Sequence, residues 1–417
     1  MSDNPVPVAG DVIGDTAYSQ RFVLKILLKL ANLDTLKDEI EDKTFEDDLC
    51  LLWDMTAERD VVLFLQKHDT LNLINFALPI MNSPRIIEIV IGIVGNMCCQ
   101  KEIVAAILSM DTFLKLLLEY SKSDDSLILV QLLRLISSCL FLAEDADINI
   151  WMEKFVSSEY SSSLYFILNN SSNQELLITA IENFNTICSY CNIEKNRADF
   201  YSHFVRAEAL ETLSIAFTEV TVNKKKDCRK DELERILVVS LQITLNLIGF
   251  DKSSEMFTDV KENVTKMINI ILNYYVDKFV YQKEIDSDLI DVVDSTNTIV
   301  KLLTISEISQ PEKYFNQTYK IWKASYALSK TGKNNIDFED DDKEELQEIM
   351  AKLKVPVGTL LCTYIAQCSE GNLLKVLDHI GKDYEEIVLL LKDTELVKEV
   401  TKRAQNYRTR LKESVDS

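Results

Sequence analysis

Glycine and proline are the residues that this chain has least of for its length. Its 417 residues include only 9 glycines and 6 prolines, well below the roughly 7% and 5% of average proteins. Tight β-turns and phosphate-binding loops need glycine, because φ is positive there or the backbone approaches a ligand closely. Leucine, isoleucine, lysine and glutamate are abundant instead, which favours helices joined by short polar loops. The composition therefore predicts an all-α fold.

Positive charge is also scarce. The chain has 45 Lys and Arg against 67 Asp and Glu, for a formal net charge of −22. Phosphate contacts need a concentrated basic surface, so we do not expect the chain as a whole to bind nucleic acid directly. The acid excess indicates either a preference for basic partners or a solvated acidic surface without specific meaning.

Signals for disulfides, membranes and secretion are missing as well. The nine cysteines are odd in number and scattered, and most lie in apolar helical runs, where a reduced thiol packs as a small core residue. The most apolar stretches are too short for a membrane span or contain charged or polar residues. Met1–Asp15 lacks the basic and then apolar pattern of a signal peptide. We expect a reducing compartment, cytosol or nucleus, and no membrane partner.

Catalytic motifs are absent from the sequence. It contains no GxGxxG, GxxxxGK[ST], GxSxG or HExxH pattern. His68, His203 and His379 are far apart and are interpreted as surface or helix-packing residues. Cys188 and Cys191 form a single CxxC, whereas a structural zinc needs four ligands and a redox motif needs a βαβ context. We predict no catalytic residue, metal, cofactor or small-molecule substrate.

What the sequence does contain is a repeat. Four segments begin with a polar residue and continue with about fifteen closely spaced aliphatic residues. They start at Ser83, Asp125, Asn173 and Asp231, which are 42, 48 and 58 residues apart. A period of about 40–47 residues is that of armadillo and HEAT repeats. Helices that are hydrophobic nearly all round fit a solenoid, because each inner helix lies between neighbours. The prediction is an armadillo/HEAT-type right-handed helical solenoid.

The predicted organisation has four parts. The acidic loop is predicted from Gly332 and the acidic run Glu339–Asp342, which interrupt the helical pattern. The parts are an N-terminal tail and cap helix (1–34), armadillo-like repeats (35–330), the acidic loop (331–345) and C-terminal helices that cap the array (346–417).

Asparagines near the ends of the repeated segments are the candidate partner-binding residues. Armadillo repeats close their third helix with a pattern like A-L-x-N-L, and here Asn96 and Asn246 stand at the asparagine position. Ser138 and Thr186 (or Asn185) stand there in the other two copies. Such an asparagine can hold the backbone of an extended peptide. The alternative is that it caps or bridges within its own repeat.

Import receptors add a tryptophan four residues before this asparagine, to stack the lysine stems of a basic signal. Here those positions are Gly92 and Gln242. The sequence therefore argues against a nuclear-import-receptor role.

One basic cluster stands out in this acidic chain. A nuclear-localisation signal needs exposed lysines in a flexible segment, and a solvated loop between repeats is the alternative. The cluster consists of Lys224, Lys225, Lys226, Arg229 and Lys230.

Three stretches of residues 10–107 read GDVIGDTAYS (10–19), LCLLWDMTAERDVVLFLQ (49–66) and PRIIEIVIGIVGNMCCQKEIVAAI (84–107). They resemble the serum amyloid A-like 1 protein family. The resemblance implies an armadillo-like, nuclear, non-enzymatic protein linked to promoting cell proliferation. We therefore expect a protein–protein interaction scaffold in the nucleus. The alternative functions are those of an armadillo-type chaperone cofactor or a nucleocytoplasmic transport adaptor. The alternative location is the cytoplasm in addition to the nucleus.

Overall fold

Most of the residues that the structure describes lie in helices. The computed structural model describes residues 11–415 except 227, 252, 285, 331–339 and 392–393. Within these ranges no β-sheet forms, and one isolated antiparallel bridge joins Val12 to Ser19. The helices cluster into two compact units, Met1–Phe204 and Val205–Ser417. The all-α prediction is confirmed, and the division between the units falls inside the predicted repeat region.

The first unit consists of helices of 8 to 18 residues. They are α1 (Gln20–Ala31), α2 (Leu33–Glu41), α3 (Lys43–Met55), α4 (Arg59–Lys67), α5 (Thr70–Ala77), α6 (Pro84–Met97), α7 (Lys101–Ser109), α8 (Asp111–Glu119), α9 (Ser126–Leu142), α10 (Asp145–Ser158), α11 (Tyr160–Asn170), α12 (Gln174–Cys191) and α13 (Arg197–Phe204).

Four helices of this unit stack side by side in the order α3, α6, α9, α12, and we call them the inner helices. The last three are the first three predicted repeat copies. In two of them the polar first residue caps the helix with its side chain: Asp125 Oδ1 accepts hydrogen bonds from the amides of Leu127 (2.8 Å) and Ile128 (3.1 Å), and Asn173 Oδ1 accepts one from Leu176 (3.0 Å). Ser83 occupies the N-cap position of α6 without such a bond. Since each inner helix packs against the next with shorter helices between them in sequence, the predicted helical solenoid is confirmed for this unit.

The predicted cap helix is α1, which buries Val23, Ile26, Leu27 and Leu30. The segment before it folds back on the unit, because the amide of Asp15 donates to Asp60 Oδ2 on α4 at 2.9 Å. Ile13 is buried beneath this turn. The stretch 10–19 is therefore an ordered part of the unit.

The helices of the second unit range from 4 to 28 residues and are less uniform in length than those of the first. They are α14 (Ala207–Thr218), α15 (Lys230–Ile248), α16 (Ser253–Met256), α17 (Lys261–Val276), α18 (Asp288–Leu303), α19 (Tyr314–Lys330), α20 (Asp340–Gln367), α21 (Glu370–Ile380), α22 (Asp383–Leu389) and α23 (Thr394–Val415).

These helices form two rows, α14–α17–α19 and α15–α18–α20. The fourth predicted repeat copy is α15. Two helices of the first row, α14 and α17, run into π-helical turns at Glu219–Asn223 and Asp277–Tyr281. The stacked rows continue the helical-repeat pattern within this unit, with larger spacings along the chain.

The predicted acidic loop is shorter than expected. Residues 331–339 lie outside the described residues, but α20 already begins at Asp340. The stretch from Asp340 to Asp342 therefore lies in the first turn of a helix.

Within α20, Glu348–Gln367 is long and apolar enough to cross a membrane by length and composition alone, yet 67% of that window is buried.

Candidate binding groove

The inner helices of the first unit line two adjoining open cavities of about 480 and 600 Å³. The two cavities share Cys99, Ser137, Ser138 and Thr186 in their walls. Together they form one surface across α6, α9 and α12, bounded by Trp53 of α3, which we call the inner-helix groove.

The groove has three rows of side chains, because residues three or four apart lie on the same face of a helix. The central row contains three of the four positions that align with the armadillo asparagine. One turn towards the helix N-termini lies a charged row, and one turn towards the C-termini lies an apolar row. The central row consists of Asn96, Ser138 and Thr186. The charged row consists of Gly92, Arg134 and Glu182. The apolar row consists of Cys99, Phe141 and Tyr190.

Asn96 bridges two inner helices. Its Nδ2 donates to Thr56 Oγ1 at 2.9 Å and to the carbonyl oxygen of Trp53 at 3.4 Å. Thr56 is the C-cap of α3, so Asn96 helps to satisfy the polar groups at the end of that helix. No hydrogen bond of the described residues involves its Oδ1. The nitrogen therefore bridges to the preceding inner helix and not within its own repeat, and a groove role for the oxygen stays a prediction.

Gly92 makes room for a tryptophan from the neighbouring helix. A Cβ atom at this position would lie 2.4 Å from Cε2 and Cζ2 of Trp53. The indole of α3 therefore packs against the bare backbone of α6, next to Asn96. The sequence showed no tryptophan four residues before Asn96, but the fold supplies an aromatic ring there from the preceding inner helix.

Asn183 is a residue that sequence reasoning missed. It is fully buried in α12, where Nδ2 donates to the carbonyl oxygen of Leu133 and to Ser137 Oγ, both at 3.0 Å. Its Oδ1 accepts a hydrogen bond from Tyr160 Oη at 2.9 Å. Asn183 thus joins α9, α11 and α12 beneath the groove. Asn183 does not stand at the asparagine position of the A-L-x-N-L pattern, so the pattern did not identify it.

The charged and apolar rows differ in their surroundings. Arg134 forms an ion pair with Glu175 on the next helix, with an N–O distance of 2.9 Å. In the apolar row, the rings of Phe141 and Tyr190 meet edge to face, with centroids 6.2 Å apart. Phe141 remains 67% exposed. The groove thus combines a polar centre with a charged side and an apolar side.

Asn246, the other predicted groove residue, lies on α15 in the second unit. Its Nδ2 donates to the carbonyl oxygen of Gln242, one turn earlier in the same helix, at 3.0 Å. This bond within the helix matches the local alternative for an asparagine. A peptide-binding role for Asn246 stays a prediction.

The basic cluster lies in the second unit between a π-turn and α15, and three of its members form ion pairs. Lys224 pairs with Glu219 at 3.8 Å, Arg229 with Glu232 at 3.0 Å, and Lys230 with Glu284 at 2.6 Å. Lys225 and Lys226 are exposed, and Lys225 Nζ lies 5.9 Å from the ring centroid of Tyr274. The localisation prediction therefore depends most on these two lysines.

The CxxC cysteines are both buried in α12. Burial raises the pKa of Cys188 well above its ordinary value and that of Cys191 to about 12. Both thiols are therefore protonated near neutral pH, whereas metal ligation and nucleophilic attack need the thiolate. Among the residues that the structure describes, no three His, Cys, Asp or Glu side chains are grouped as metal ligands would be.

Two engineered proteins are among the solved structures that the chain matches. A designed armadillo repeat protein in complex with the peptide (KR)4 aligns with a TM-score of 0.44 and 12% identity, over 67% of this chain and 98% of that one. A second engineered protein aligns with a TM-score of 0.39 and 13% identity, over 92% and 93% of the two chains. Both TM-scores lie below 0.5, so the fold assignment depends on the helix stacking described above.

No protein-family model matches the chain. Curated proteins from several vertebrates do match part of it. The chain is 33% identical to Protein SAAL1 of Homo sapiens over 183 residues, 31% identical to Protein SAAL1 of Mus musculus over 180, and 30% identical to Protein saal1 of Danio rerio over 177. The alignments cover 40% of this chain and 37–38% of the relatives. Over about two fifths of its length, the chain is thus homologous to proteins named SAAL1, which confirms the resemblance seen in its sequence.

Proposed function

We propose that this protein is a non-catalytic scaffold that binds an extended segment of a partner protein along the inner-helix groove. The observation that carries the proposal is the central row of the groove. Asn96 Oδ1 accepts no hydrogen bond, and the hydroxyl of Ser138 has none among the described residues. An extended backbone presents N–H and C=O groups that need such partners.

The spacing of the inner helices favours an extended ligand. Packed helices lie about 8–10 Å apart, and a strand advances about 3.3 Å per residue. A segment that crosses α6, α9 and α12 would therefore meet a central-row side chain about every third residue. A helical ligand advances only about 1.5 Å per residue and satisfies its own backbone groups, so it would make little use of this row.

Residence in the nucleus and a role in promoting cell proliferation are also part of the proposal. They are supported by the homology to the SAAL1 proteins over two fifths of the chain and by the exposed Lys225 and Lys226. Live-cell imaging of the tagged full chain, with and without Lys225→Ala and Lys226→Ala, tests the localisation. We expect nuclear signal that falls in the double variant. Signal that stays outside the nucleus in the unchanged chain would contradict this part.

The groove itself is tested by filling its centre. Ser138 is half-buried, and its hydroxyl makes no hydrogen bond to the residues that the structure describes, so we expect Ser138→Arg to block the groove without removing a hydrogen bond. Ser162 on α11 is an exposed serine outside the groove, and Ser162→Arg is the matched control. Proximity labelling followed by pulldown gives the partner set of each full-length variant.

We expect Ser138→Arg to lose partners that the unchanged chain and Ser162→Arg both retain. If Ser138→Arg keeps all of them, the groove is not the binding site. Direct binding of the purified chain to a chaperone or an import receptor would favour the adaptor role instead, particularly if Ser138→Arg leaves that binding unchanged.

A further inference from the structure

We infer that the segment bound in the groove alternates large apolar side chains with basic ones. This inference depends on the proposed function, because it assumes that an extended segment lies along the central row. Successive side chains of a strand point to opposite sides. A segment held at Asn96, Ser138 and Thr186 would therefore direct one set of side chains to the apolar row and the other set to the charged row.

The apolar row suits a large hydrophobic side chain. Phe141 exposes 67% of its surface although its ring already contacts Tyr190. The adjoining cavity of about 600 Å³ also includes Leu142 and the end of α6 at Cys98 and Cys99. An apolar side chain placed here would remove the face of Phe141 from water, which stabilises the complex by the hydrophobic effect.

The acid excess of the first unit favours positive charge on the ligand. The charged row itself contains one Arg134 and one Glu182, and Arg134 is paired with Glu175 of α12. The first unit contains 30 acidic and 15 basic residues, a formal charge of −15. The indole of Trp53 at the edge of this row is also a favourable surface for a cation.

Fluorescence anisotropy with the full chain and three labelled nine-residue peptides tests the inference. One peptide alternates leucine and lysine, the second has the same residues in two blocks, and the third alternates leucine and glutamate. At physiological ionic strength we expect the first to bind at least about tenfold more tightly than either of the others, because only it matches both outer rows.

Two exposed phenylalanines provide matched variants. Phe141 in the groove is 67% exposed and Phe166 on α11 is 68% exposed, so neither substitution removes a core side chain. We expect Phe141→Asp to weaken binding of the alternating basic peptide about tenfold or more, Phe141→Leu to retain most of it, and Phe166→Asp to change it less than about twofold. Circular dichroism verifies that the variants are folded.

The inference fails if the three peptides bind alike, if none binds, or if Phe141→Asp and Phe166→Asp have equal effects. The proposed function is judged separately, by the partners that Ser138→Arg loses. If Ser138→Arg loses partners but the three peptides bind equally well, the groove is the binding site and the bound segment does not alternate apolar and basic side chains.

Discussion

Each unit contains a buried polar connection between helices, neutral at Asn183 in the first and ionic at Lys278 in the second. In the first unit, neutral asparagines connect neighbouring helices: Asn183 bonds to Leu133, Ser137 and Tyr160. In the second unit, the buried Lys278 connects α15 and the π-turn by ion pairs, with Glu234 at 2.6 Å and Asp286 at 2.5 Å. Neutral joins work at any pH near neutrality, whereas a buried ion pair requires both partners to stay charged.

The units also differ in charge. The first carries 30 acidic against 15 basic residues and the second 37 against 30, so −15 of the total −22 lies in the first unit. The regular repeats and the groove belong to that same unit. The acid excess therefore has a location, which strengthens its interpretation as a preference for basic partners over a uniformly solvated surface.

The largest expected effect is the loss of the ionic join. Lys278 is only 8% exposed, and although burial opposes its charge, its bonds to Asp286 and Glu234 raise its pKa above the ordinary value. Lys278→Met leaves two carboxylates without their cation and should lower the free energy of unfolding by about 3–5 kcal/mol. Denaturant unfolding measures the loss, and hydrogen exchange should place it in the second unit.

Lys352→Met is the control for this prediction. Lys352 pairs with Glu348 on the surface of α20 and is 61% exposed, so its loss should cost less than about 0.5 kcal/mol. Equal effects of the two substitutions would mean that the buried ion pairs do not hold the second unit together.

The neutral join should matter slightly less. Asn183→Ala removes three hydrogen bonds and leaves the buried Tyr160 hydroxyl without its acceptor. We expect a loss of roughly 2–3 kcal/mol, the upper part of the range for unsatisfied buried polar groups. Asn170→Ala, at an exposed asparagine of α11, should stay within about 0.5 kcal/mol. If Asn183→Ala leaves the free energy of unfolding unchanged, the stacked helices do not depend on the hydrogen bonds of Asn183.

Two glycines of α6 give opposite predictions. At Gly92 a Cβ would lie 2.4 Å from the Trp53 ring, but at Gly95 it would lie 3.6 Å from Leu135 Cβ, an ordinary contact. Gly92→Ala should displace the indole and destabilise the first unit by about 1–3 kcal/mol. Gly95→Ala should stabilise it by about 0.5–1 kcal/mol, because alanine is the better helix former. Thermal unfolding of both variants checks the signs, and the same sign for both would contradict the packing of Trp53 on Gly92.

The smallest effect concerns an exposed ion pair of the first unit. Hydrogen bonds to Lys115 (2.7 Å) and Lys154 (2.6 Å) lower the pKa of Asp111 to about 2. Because the folded-state pKa is the lower one, the stabilisation is present above the unfolded value of about 4 and is lost as the pH falls towards 2. Asp111→Asn should be slightly less stable than the unchanged chain at pH 7, and the difference should disappear near pH 2. A difference independent of pH would rule out the ionic explanation.

The sequence predicted most of the helices because their signals are local. Asp125 and Asn173 precede long apolar runs, and both are N-caps in the structure. The packing of Trp53 on Gly92 joins residues about forty positions apart. A pattern within a single repeat cannot reveal such a contact. Asn183 was hidden for a similar reason, since its partners lie on α9 and α11. The acidic run at Asp340 was predicted as loop from its charge, although acidic residues are also typical of helix starts.

Photo-crosslinking shows whether the groove of the first unit binds an extended partner segment. A photoreactive amino acid is placed at Ser138 in the full chain and, as the control, at Ser162. We expect crosslinks to a partner from position 138 that map to one short segment and are suppressed by excess alternating basic peptide, with few from position 162. Equal crosslinking from both positions, or none from position 138, would contradict it.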